Sequence, residues 1–161
     1  MTYSSPSHYQ APLMDLADLI NPDRVIVGLR ASGKAQLLQD LSRRAAGPLG
    51  IPPATISGAL QAREQLGSTG LGRGFALPHA RVEGVSQFFG MLVRLNRPIE
   101  FQAIDEKPVD LVFLLLIPPN AGNEHVAALA AISRPMRDQA FTARVRKAET
   151  AAALYTMLAG A

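Results

Sequence analysis

The chain holds three histidines and no cysteine, which excludes a thiolate nucleophile and every thiolate metal site. His79 follows Pro78 at the mouth of a glycine-rich stretch, Gly67 to Gly74 (GSTGLGRG), and just after a short apolar run. Strand exits of this kind are where side chains of open α/β sheets meet their ligands. His125 comes after Pro118-Pro119 and the 120–123 loop, and Leu129, Ile132 and Met136 follow it at i+4, i+7 and i+11. That spacing puts it in the first turn of a helix, on the buried stripe. His8 lies in a polar lead-in and takes no role.

Arg63 is a third candidate. It stands three residues after Leu60 and seven after Ile56, on the inward face of a helix near its end. A guanidinium there needs an acceptor. Either it pairs with a carboxylate or carbonyl of the fold, or it waits for a phosphate, which arginine grips with two N–H groups. Metal binding by the two histidines is a competing use. Neither has a carboxylate or further histidine at ligand spacing, so a third ligand is missing.

The glycine stretch fails two nucleotide patterns. A P-loop needs Lys-Ser or Lys-Thr where Arg73-Gly74 stand, and it should follow a strand rather than a helix. The dinucleotide pattern G-x-G-x-x-G fails at its third glycine, where Phe75 follows Gly70 and Gly72 at that spacing. What remains is a flexible turn or a nest of bared amides around Gly70, helped by the Ser68 and Thr69 hydroxyls, that could hold an anion.

The elements that must position these residues follow from periodicity. Residues 1–11 are polar, with Pro6 and several serines, and read as a disordered lead-in to one domain over 12–159. Leu13, Leu16, Leu19 and Ile20 have helical spacing, stopped by Asn21-Pro22. Val25 to Leu29 reads as a strand. Ser32 is expected to cap a helix whose stripe is Leu37, Leu38, Leu41 and Ala45, ended by Gly47-Pro48. Pro52-Pro53 open the next helix, with Ile56, Ala59 and Leu60 inward and Gly67 as its stop.

Phe75 to Leu77 is a brief strand, and Phe88 to Leu95 a strand covered on both faces. Ile99, Phe101 and Ala103 alternate with Glu100 and Gln102, as a strand with one wet face would. Leu111 to Ile117 is an unbroken apolar run, and none in the chain is longer in the same residue types; it suits a central strand and is far below the roughly 20 residues a membrane span takes. Helices are expected from Glu124 to about Arg137, Phe141 to Lys147 and Ala151 to Leu158. Helices, then strands, then helices give an α/β single-domain sandwich: a mixed central β-sheet flanked by helices on both faces.

Sixteen Lys and Arg against thirteen Asp and Glu leave a formal charge of +3, and five basic residues fall between Arg134 and Lys147. With aromatics at 6% and no tryptophan, the chain lacks the stacking side chains and reading element of a nucleic-acid binder. An acidic protein partner or a solvated helix face uses such charge. The N-terminus has neither the basic nor the apolar region of a secretory signal, so a cytoplasmic location is expected.

REQLGSTGLGRGFALPHAR, Arg63 to Arg81, resembles the active-site segment of phosphotransferase-system enzyme IIA domains of the fructose/mannitol type. From about Leu13 to Leu158 the chain looks like the nitrogen-related branch, with further landmarks at Arg97-Pro98-Ile99, Phe101-x-Ala103-Ile104-Asp105 and Pro108-Val109-Asp110. The resemblance implies that His79 accepts a phosphoryl group, on Nε2, from a phosphorylated HPr-like carrier protein. It also implies that Arg63, His125, Ser68, Thr69 and Gly70 line the pocket, that no metal or cofactor takes part, and that regulatory target proteins read the outcome. A sugar-specific enzyme IIA feeding a transporter's IIB domain is the alternative with the same chemistry. A regulatory module that binds targets without turnover is the alternative of another class. Two departures stand out: Arg73 where asparagine is frequent, expected to add charge beside the pocket, and Pro135, expected to kink or shorten the helix that begins near His125.

Overall fold

The computed structural model describes residues 14–161, so the lead-in expected over 1–11, with His8, lies outside the described residues. These form, in order, β1 (Val25–Leu29), α1 (Lys34–Leu49), α2 (Pro53–Gln65), β2 (Gly70–Gly72), β3 (Phe75–Ala76), β4 (His79–Arg81), β5 (Phe89–Ile99), β6 (Val109–Ile117), α3 (Glu124–Met136), α4 (Gln139–Lys147) and α5 (Ala151–Ala159).

The strands make one open, mixed sheet in the order β1-β5-β6-β3-β2, with β4 also on β6. β5 and β6 are antiparallel, β1 runs parallel to β5, and β3 and β4 both run parallel to β6 along its other edge. The apolar run predicted as a central strand is therefore β6, paired on both sides. Its side chains alternate between two cores. Val112, Leu114 and Leu116 pack with α1 and α2, while Leu111, Phe113, Leu115 and Ile117 pack with α3, α4 and α5. All seven are 1% exposed or less. Burying each such side chain contributes about 1.5–3 kcal/mol, so β6 is the strand on which both helical layers depend.

Four local expectations need correction. The apolar spacing of Leu16 and Leu19 belongs to a 3-10 turn, Leu16–Asp18, followed by a second at Pro22–Arg24, and not to an α-helix. Asp18 accepts the Asp15 N–H at 2.9 Å and closes the first turn early. Ser32 does not cap α1; Gly33 is the N-cap, and the Ser32 N–H donates to Gln36 Oε1 at 3.0 Å. Helix α1 runs through Gly47-Pro48, since a proline in the last turn costs only one main-chain bond. Gly50, at φ 66°, ends it by donating to the Ala46 carbonyl at 2.8 Å. Finally, residues 100–103 extend no strand. Their burial does alternate, but Gln102 has φ 57°, which takes the backbone off the β conformation.

Pro135 falls in the last turn of α3, which stops one residue later at Met136. Among the described residues no helix is long and apolar enough to cross a membrane.

Candidate functional site

The glycine stretch folds as a hairpin rather than an open loop. β2 and β3 pair antiparallel around a two-residue turn, Arg73-Gly74, with φ of 57° and 79°. Positive φ at both turn residues is the pattern that matches the twist of the flanking strands. Gly70 lets the hairpin lie flat on the 101–104 segment, because a Cβ there would meet the Ala103 Cα at 2.7 Å.

Polar bonds fasten the base of the hairpin to α2. The Glu64 carboxylate accepts the Thr69 N–H at 3.1 Å and the Thr69 hydroxyl, and pairs with Lys34 Nζ at 2.8 Å. Ser68 Oγ donates to the Phe101 carbonyl at 2.9 Å and accepts the Gly70 N–H at 3.0 Å. The amides of Thr69 and Gly70, expected as an anion nest, thus have partners within the fold here, as do the Ser68 and Thr69 hydroxyls. Arg63 Nη1 donates to the Gly67 carbonyl at 2.9 Å, so the acceptor it needed is, in part, the start of the same loop.

β3 and β4 use the same edge of β6, separated by Leu77-Pro78. His79 lies opposite Leu115 and Arg81 opposite Ile117, so both share the face that those residues turn to α3. Ala80, between them, joins the other core. Period-two geometry therefore aims His79 and Arg81 together at the start of α3, where His125 stands.

The His79 Nδ1–H donates to the Leu77 carbonyl at 2.8 Å. A carbonyl can only accept, so Nδ1 carries the proton and the lone pair of the neutral ring lies on Nε2. Burial pushes the His79 imidazole below its ordinary value of 6.5, and Arg63 and His125 push the same way, while the Leu77 carbonyl and Glu64 oppose them. At pH 7 the neutral form therefore predominates. Its centroid is 6.3 Å from that of His125, the planes inclined at 47°.

His125 is fixed by a residue that sequence reasoning did not single out. Arg81 Nη2 donates to His125 Nδ1 at 3.1 Å, while Nη1 donates to the carbonyls of Ala121 at 2.8 Å and Pro119 at 3.1 Å. Burial, then the Arg81 charge, holds the His125 imidazole below its ordinary range. Glu64, which ties the hairpin to α2, was likewise missed. The i, i+2 spacing of His79 and Arg81 on a strand was a signal available for the first; nothing local announces the second.

Arg73 does not add charge beside this pocket. Its guanidinium donates to the Arg137 carbonyl at 3.2 Å, at the other end of α3 from His125, about 18 Å away at 1.5 Å per residue. Among the described residues, no three side chains of His, Asp or Glu gather as metal ligands do.

Residues 18–160 match the family described as "Phosphoenolpyruvate-dependent sugar phosphotransferase system, EIIA 2". The chain belongs to this family. Similarity to the nitrogen regulatory protein of Bradyrhizobium diazoefficiens reaches 41% identity over 91% of this chain and 95% of that protein. The solved nitrogen regulatory protein IIA-Ntr of Neisseria meningitidis superposes with a TM-score of 0.84 at 30% identity, covering 89% of this chain and 98% of that one. The 2-O-alpha-mannosyl-D-glycerate-specific EIIABC component of Escherichia coli is 32% identical over 91% of this chain, which spans only 23% of that longer protein. Nitrogen-related and sugar-related members thus both resemble it, and the two nitrogen regulatory proteins match over nearly their whole length.

Proposed function

We propose that this chain is a nitrogen-related enzyme IIA that accepts a phosphoryl group on His79 Nε2 from a phosphohistidine of an HPr-like carrier protein. The observation that carries this reading is the 2.8 Å bond from His79 Nδ1 to the Leu77 carbonyl. It leaves a nucleophilic lone pair on Nε2 of a ring kept neutral by burial. In the transfer the carrier's N–P bond breaks as the Nε2–P bond forms, and the Nδ1 proton stays where it is. The transition state is loose and in line, so catalysis is positioning and charge stabilisation.

Arg63 retains guanidinium N–H groups beyond the one bound to Gly67 and supplies fixed positive charge near His79. His125 stands in the first turn of α3, where the helix dipole favours an anion. The amides and hydroxyls of Ser68, Thr69 and Gly70 are the further donors of this reading; to reach a phosphoryl oxygen they would exchange their present bonds. Regulatory proteins that distinguish the phosphorylated from the free form are the partners of such a domain, and its place is the cytoplasm. Phosphate delivery to a sugar transporter remains the second reading; the mannosylglycerate-specific relative favours it, and the end-to-end match to nitrogen regulatory proteins outweighs it.

Reconstitution with phosphoenolpyruvate, enzyme I and the carrier tests the proposal. The wild-type chain should take up one acid-labile, base-stable phosphate, and His79→Ala should take up none while keeping its melting temperature within a few degrees. Uptake of acid-labile phosphate by the alanine variant would overturn it.

A further inference from the structure

We infer that Arg81 is a positioning residue for phosphoryl transfer, because its guanidinium, anchored to the 118–121 loop, fixes the His125 lone pair on Nδ1 and leaves Nε2–H as that ring's one donor. The kinetic part of this inference rests on the reading of His79 as the acceptor; the assignment of the ring's protons does not.

The chemistry follows from what each group can do. Arginine has only donors and keeps its charge throughout the physiological range. Arg81 Nη2 lies 3.1 Å from His125 Nδ1, so that nitrogen must accept and cannot carry a proton. The neutral ring then holds its proton on Nε2. A second proton would have to enter on Nδ1, facing the guanidinium. At neutral pH the ring is thereby kept as a neutral donor in one orientation.

The anchor explains why arginine suits the position. Nη1 donates to the Ala121 carbonyl at 2.8 Å and the Pro119 carbonyl at 3.1 Å, while Nη2 remains for the imidazole. A forked group can serve the loop and the ring together, whereas a lysine ammonium offers donors from a single atom. The His79 and His125 rings lie 6.3 Å apart, centroid to centroid, close enough for both to reach one phosphoryl group. His79 and His125 thus have opposite protonation patterns: proton on Nδ1 in the acceptor, proton on Nε2 in the donor of the hydrogen bond. A main-chain carbonyl sets the first, and Arg81 sets the second.

Two measurements test this. Two-bond proton–nitrogen correlation spectra of the unmodified wild-type protein at pH 7.5 should show His125 as the Nε2–H form; an Nδ1–H form would overturn the inference without any variant. Phosphorylation rates with phosphoramidate as donor, which needs no carrier docking, should then be compared in a double-mutant cycle. Arg81→Met should slow uptake about three- to tenfold, the worth of one neutral hydrogen bond. In a His125→Gln background, where an amide donates without any choice of tautomer, the same change should cost less than twofold. Slowing of twofold or more in the glutamine background, or less than twofold in the wild type, would reduce Arg81 to a brace for the loop. Absence of His79 phosphorylation in the wild type would sink the acceptor reading and leave the spectroscopic result standing.

Discussion

Burial holds the imidazole of His79, the proposed acceptor, below its ordinary value of 6.5, and that has two consequences with the same sign. Nucleophilicity belongs to the neutral ring, so the transfer rate should be flat from pH 8 to pH 7 and should fall only as pH drops through a value below 6.5. Stability follows too. A group whose folded pKa is depressed contributes stability above its unfolded value, and this is lost as pH falls through the folded one. Both His79 and His125 are shifted down, so the melting temperature should decline on acidification below about 6.5 beyond what the carboxylates account for. His79→Ala should remove part of that decline. Calorimetry from pH 8 to pH 5 on both proteins checks it; a histidine that titrates above 6.5 in the wild type would contradict the burial argument.

At the scale of elements, Glu64 of α2 is the side chain that bonds Thr69, at the base of the hairpin, through both its N–H and its hydroxyl. The Glu64 and Lys34 side chains are only 7% and 17% exposed, and the carboxylate carries both the ion pair and the Thr69 bonds. Replacing Glu64 by Gln removes the charge and leaves a half-buried ammonium without its counter-ion. Stability should fall by about 1–3 kcal/mol. Amide exchange at Thr69 and Leu77, whose N–H bonds the Thr69 carbonyl at 2.9 Å, should accelerate at least tenfold relative to β6. Unchanged exchange would mean that the hairpin holds itself.

Elements of this kind also mark the limit of what periodicity reveals. β6, α2 and α3 were legible because their apolar spacing reports directly on burial. The first apolar segment was misread since a 3-10 turn can bury Leu16 and Leu19 as well as a helix does, at the same spacing. The 99–103 alternation reported burial correctly and pairing wrongly, because Gln102 is left-handed while Phe101 and Ala103 stay buried. Within the site, His79, His125 and Arg63 could be found by residue type and motif. Glu64 could not, for its bond to Thr69 closes a loop whose shape is set by glycine conformations that spacing does not encode.

At the scale of the molecule, the two helical layers share one sheet and have no core of their own without it. Leu114 and Leu115 are adjacent, wholly buried, and face opposite layers. Leu114→Ala and Leu115→Ala should each cost about 2–5 kcal/mol, by lost burial plus the cavity left behind. Both should unfold in a single transition when followed by circular dichroism in urea. Two transitions, or loss of one layer alone, would show that the halves fold independently. The leucine facing α3 should also disturb the site, since it lies opposite His79 in the sheet register.

The Leu77 carbonyl that orients His79 belongs to the main chain. No substitution at residue 77 other than one that moves the backbone can delete it, whereas a single codon change removes Arg81 or Glu64. Heritable variation therefore meets the two histidines unequally. Under the proposed function, the acceptor's reactivity passes on with the fold itself, and what drift and selection can adjust in small steps is the donor opposite it: how fast the group arrives, not whether it can be received.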